Sequence, residues 1–168
     1  PGGRGLIPTG MAEAQIAAEY ARIAGQNPTG LRNIVRSMAN VLHAIDPLEV
    51  GTGLGLGYGV RRAAEGVLEH IDVVRSTEGV PDYVSLHAGY VALAASRTLV
   101  RAAEVVALAR QIQRTSSAEA ALPLVEDLAD LIRAMTFGVD SDRDGRIGYA
   151  EAETGLAQAA YHLELVRR

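Results

Sequence analysis

From Thr9 to the C-terminus, apolar side chains recur at helical spacing, which lines them along one side of an α-helix. A chain patterned this way has to bury helix against helix. The apolar residues are mostly Ala, Leu and Val, with one Phe, six Tyr and no Trp among 168 residues. Such side chains suit close-packed helices better than a sheet sandwich. The expectation is an all-α fold, a bundle of about six helices.

The breaks in the pattern set the expected boundaries. Residues 1–8, PGGRGLIP, hold three glycines and two prolines and read as an extended arm. Thr9 is expected to cap a first helix ending near Gln26, and Thr29 a second ending near Ile45. A glycine-rich loop, DPLEVGTGLGLG, follows over residues 46–57, then a third helix from Tyr58 to Ser76. Pro81 opens a long fourth helix to about Arg114. Ser116 and Glu119 have capping-box spacing for a fifth, which Pro123 should kink or restart and which ends near Val139. A sixth is expected from Tyr149 onward.

Two stretches repeat. Shifted by ninety residues, Ile34, Val35, Met38, Ala39, Val41, Leu42, Ala44 and Ile45 fall on Leu124, Val125, Leu128, Ala129, Leu131, Ile132, Ala134 and Met135. Shifted by ninety-two, the run His70 to Arg75 falls on His162 to Arg167. The pattern predicts one helical domain over 9–168, built as an internal duplication of helix–loop–helix halves, about 12–76 and 102–168.

The sharpest chemical signal lies between the fifth and sixth helical patterns: Asp140-Ser-Asp142-Arg-Asp144-Gly145-Arg146-Ile147-Gly148-Tyr149-Ala150-Glu151. It matches D-x-[DN]-x-[DN]-G-x5-E at every fixed position. Calcium takes 6–8 hard oxygens at about 2.3–2.6 Å. Asp140, Asp142 and Asp144 are expected to supply one each, Gly145 the sharp turn, the Arg146 carbonyl another, and Glu151 both carboxylate oxygens. Gly148 has no side-chain donor and leaves its position to water. With Phe137 and Val139 before it, this segment resembles the EF-hand family, whose resemblance covers some thirty-five residues and implies calcium as the bound ion. In that family Ile147 pairs with a neighbouring loop. The first half offers only a degenerate partner: Asp46 is followed by Leu48 and Val50 at ligand positions, and Gly57 replaces the closing Glu. One calcium per chain is expected, with Leu54 or Leu56 packing on Ile147. The whole chain is also faintly similar to secreted bacterial helical proteins with D-x-D-x-D-G loops, a resemblance that implies no activity.

Other signals exclude or leave open. Net charge is −4, without a basic stripe, which argues against nucleic acid. No apolar run approaches the ~20 residues of a membrane span. Cysteine is absent, which removes disulfides and thiolate sites. The chain starts at Pro1, and a removed signal peptide is expected, placing it outside the bacterial cytoplasm. Gly53, Gly55, Gly57 and Gly59 lack the preceding strand and following Lys-Ser/Thr of a phosphate loop. His43, His70, His87 and His162 lie on four different helices, where facing side chains can build metal or haem sites. No enzymatic signature is present. The expected role is a calcium-stabilised structural or interaction module with a protein partner or homo-oligomeric assembly. A calcium sensor and a histidine-based metal or haem carrier are the alternatives.

Overall fold

The computed structural model describes residues 3–26 and 30–167. Six helices account for the regular structure: α1 (Leu6–Gly25), α2 (Leu31–Ile45), α3 (Val60–Ser76), α4 (Asp82–Gln113), α5 (Ala118–Phe137) and α6 (Leu156–Val166). No strand occurs among the described residues.

Several boundaries differ from expectation. Helix α1 begins at Leu6, inside the supposed arm. Pro8 is its third residue, where the ring costs no hydrogen bond because first-turn N–H groups have no intrahelical partner. Thr9 is therefore not a cap; its hydroxyl donates to the Gly5 carbonyl at 2.9 Å. Thr29 lies outside the described residues, and Gly30 occupies the N-cap position of α2. The α5 cap is Ser117 rather than Ser116, its Oγ accepting from the Ala120 N–H at 3.2 Å. Helix α5 runs through Pro123 without interruption. Helix α3 starts two residues later than expected, at Val60, and α6 starts seven residues later, at Leu156 rather than Tyr149.

Helices α1 and α4 organise the packing. Each packs on α2, α3, α5 and α6, and they do not pack on each other. Their buried faces share one spacing: Ile7, Gly10, Glu13, Ala14, Ala17, Ala21 and Ala24 in α1. Eighty-eight residues on stand Ala95, Thr98, Arg101, Ala102, Val105, Ala109 and Ile112, also buried, in α4. Both stripes are mostly small residues, which lets neighbouring helices approach closely, and each contains one charged residue.

The core has two parts. Around α1, α2, α5 and the C-terminal half of α4 it is filled by Ile34, Met38, Leu42, Leu128, Ile132 and Met135, all fully buried. Each such side chain contributes about 1.5–3 kcal/mol of hydrophobic free energy. A smaller cluster joins Ile7, Val67, Ile71, Val91 and Ala159 around the N-terminal half of α4. At 32 residues, about 50 Å at 1.5 Å per residue, α4 is long enough to serve both.

The shift of ninety pairs some positions of like burial, Met38 with Leu128, Leu42 with Ile132 and Ile45 with Met135, but Ile34 with Leu124, Val35 with Val125, Val41 with Leu131 and Ala44 with Ala134 differ. The shift of ninety-two sets exposed His70 on buried His162. Aligning the starts of α3 and α6 instead places Val60 on Leu156 and Ala63 on Ala159, all buried.

Candidate metal site

The segment from Gly138 to Gly155 leaves α5, turns back on itself and enters α6. Gly138 ends α5 with φ +83° and donates to the Ala134 carbonyl at 2.9 Å. The loop then closes: the Val139 N–H donates to the Glu153 carbonyl at 2.9 Å. Gln158, in the first turn of α6, ties both ends, accepting from the Gly155 N–H at 2.9 Å and donating to the Phe137 carbonyl at 3.2 Å. No space exists for a side chain at Gly138, where a Cβ would collide with the Glu153 carbonyl and lie 2.6 Å from the Ile147 Cγ2. Positive φ adds its own penalty for any L side chain. Gly138→Ala is expected to cost about 2–4 kcal/mol, checked by urea denaturation.

Within the loop the aspartates fold the backbone around themselves. Asp140 accepts from the N–H groups of Asp144 (3.1 Å) and Gly145 (2.9 Å). Asp142 accepts from Asp144 at 3.1 Å, and Asp144 from Arg146 at 2.8 Å. Gly145, where the sequence predicts a sharp turn, takes φ +84°, and Arg143 takes +63°.

The structure gathers carboxylate oxygens of Asp140, Asp142 and Glu153 within 4.8 Å of one another, a spacing able to hold a metal ion. Glu153 lies outside the sequence motif. It is 5% exposed, and its Oε1 accepts from the Ser141 N–H and hydroxyl and the Asp142 N–H, its Oε2 from Gly148 at 2.6 Å. The Gly148 N–H, then the Ser141 hydroxyl, hold this carboxyl below its ordinary range. Glu151 stands in an exposed turn two residues earlier and is not in this group; Asp144 and Arg146 are exposed beside it. The reason is the delayed start of α6. Had a helix begun at Tyr149, Glu151 would lie on its first turn.

A buried cation sets the path of that late entry. Arg101, on α4 and 2% exposed, donates to the carbonyls of Ala134 (2.6 Å), Ala152 (2.7 Å) and Thr154 (2.6 Å). It thus grips the backbone on both sides of Glu153 and caps the end of α5. Burial, then neighbouring Arg97, pushes its pKa down, yet a guanidinium remains charged at neutral pH.

The first-half loop is built on the opposite charge. Glu13, on α1 and fully buried, accepts from the N–H groups of Leu56 (3.0 Å), Tyr58 (2.9 Å) and Gly59 (3.0 Å). The glycines there serve close approach, since a Cβ on Gly55 would meet Glu13 Oε2 at 2.8 Å. Asp46 accepts from Leu48 and pairs with Arg61 at 3.0 Å. Leu54 and Leu56 stay at least half exposed, and the neighbour found for Ile147 is Gly138.

The four histidines separate. His43 Nδ1 donates to the Val50 carbonyl at 2.9 Å, and exposed His70 donates to Gly66 within its own helix at 2.6 Å. Only His87 and His162 meet, Nδ1 to Nδ1 at 3.0 Å.

Compared with protein-family models, curated proteins and solved structures, the chain matches none.

Glu13, Arg101 and Glu153 are the residues that sequence reasoning missed. The first two carried a signal: each is a lone charge inside an otherwise apolar helical stripe. Glu153 carried none, because its role depends on where α6 begins.

Proposed function

We propose that this chain is a calcium-binding helical module in which the ion clips α6 and the loop before it onto the bundle. The observation that carries the reading is the convergence of Asp140, Asp142 and Glu153 in a loop whose sequence resembles an EF-hand. Asp144 and the Arg146 carbonyl complete the oxygen set, and Glu153 takes the closing place that the motif gives to Glu151. The shared burial of α1 with α4 supports an internal duplication in which only the second half kept its carboxylates. An extracytoplasmic setting suits the reading, because extracellular calcium modules work with Kd values of about 0.1–1 mM. Phe137, Val139, Ile147 and Tyr149 expose apolar surface beside the loop, which supports a protein partner or a second copy there.

Calorimetry with Ca2+ tests the proposal: one ion per chain is expected. Glu153→Gln is expected to weaken binding at least tenfold and Glu151→Gln much less. The reverse order would return the closing role to Glu151, and a stoichiometry of zero or two would overturn the reading.

A sensor is disfavoured by the methionines. Sensor grooves are Met-rich, whereas Met38 and Met135 are fully buried and Met11 is packed against the core.

A further inference from the structure

The bundle carries a second set of metal-binding atoms, made of imidazoles rather than carboxylates. His87 on α4 and His162 on α6 face each other Nδ1 to Nδ1 at 3.0 Å, their rings 5.1 Å apart between centroids and 27° from parallel. Three tyrosines surround His162: Tyr90 at 4.8 Å, Tyr149 at 4.4 Å edge to face, and Tyr161 at 5.3 Å. His162 is 2% exposed while His87 is half-buried, so the pair opens to solvent on the His87 side.

We propose that His87 and His162 form a transition-metal site that binds Cu2+ or Ni2+ ahead of Zn2+ through their two Nδ1 atoms. The geometry selects the class of ion. Imidazole nitrogens suit zinc, copper and nickel, whereas calcium requires oxygen. At metal–nitrogen bonds of about 2.0–2.1 Å, ligands 3.0 Å apart subtend roughly 90–100° at a shared ion. Adjacent ligands of square or octahedral Cu2+ and Ni2+ stand at that angle, and tetrahedral Zn2+ prefers a wider one. The remaining positions fall to water or an external ligand arriving past His87.

A histidine binds metal only as neutral imidazole. His43 and His70 each place Nδ1 against a backbone carbonyl and neither faces a second imidazole.

The test is calorimetric titration of metal-stripped protein with Ni2+ and Cu2+ in excess Ca2+, which occupies the oxygen ligands. Wild type should take up one ion per chain, with paramagnetic resonance of the Cu2+ form showing two imidazole nitrogens. His87→Gln and His162→Gln should each weaken binding at least tenfold, and His70→Gln should not. Should His162→Gln fail to fold, substitution of the half-buried His87 by Gln decides the matter by itself. No uptake, unchanged affinity in His87→Gln, or affinity that follows Glu153→Gln instead would overturn the site. Because the calcium reading rests on Glu153 and this one on His87, either can fail while the other stands.

Discussion

Arg101→Met is expected to destabilise the fold by about 3–4 kcal/mol, measured by urea denaturation, and to weaken calcium binding beyond that loss. The substitution keeps a side chain of similar length, so packing on α4 is largely retained. It leaves the Ala152 and Thr154 carbonyls, which flank Glu153, without a donor, and takes one of two donors from Ala134, which keeps the Gly138 N–H. Each buried acceptor left unpaired costs about 1–3 kcal/mol, softened here because the loop lies near solvent. Arg101→Lys should recover part of the stability. A single ammonium lacks the planar fork that reaches Ala134 and Thr154 from one nitrogen and Ala152 from the other. If both variants melt and bind as wild type, Arg101 does not position Glu153.

The second large effect concerns the ion. A ligand bound only by the folded state adds about 2.7 kcal/mol at a hundredfold excess over its Kd. For a chain of this length that corresponds to a rise in Tm of about 5–10 °C. Amide protection should increase mainly over residues 130–168, where the loop joins α5 to α6, with little change in overall dimensions. The physical origin is repulsion among Asp140, Asp142, Asp144 and Glu153, which opposes closure of the loop until a cation offsets it. Hydrogen-exchange and scanning calorimetry with and without Ca2+ check this. An unmoved Tm with strong calcium-dependent dye binding would favour a switch over a clip.

The sequence made the helices legible wherever an apolar stripe ran long enough, as in α4, and their ends less so. Leu6 joined a helix despite Gly5 and Pro8 because first-turn positions need neither a side-chain cap nor an N–H donor. The start of α6 was misplaced because helical spacing after Tyr149 says nothing of a tertiary grip, and Arg101 draws the backbone at Ala152 and Thr154 out of that path. The presence of Asp140 and Asp142 in the carboxylate cluster was readable from the loop motif, whose residue order is local. Glu153 was not, since its place was fixed by a side chain fifty-two positions away on another helix. The pairing of His87 with His162 was equally hidden, as nothing local relates two residues on α4 and α6.

The packing of α1 against both α5 and α6 bears on how the molecule is made. A chain leaving the ribosome at about 5–20 residues per second exposes the alanine face of α1 many seconds before its last neighbours exist. Up to that point α1, α2 and α3 can assemble only part of the core, with Glu13 already holding their loop in place. The eleven-residue α6 emerges after the other five helices and adds its contacts to α1. A stop codon before Leu156 therefore leaves an opening at the N-terminal end of the molecule as well, and such a truncated product is a natural substrate for chaperones and proteases.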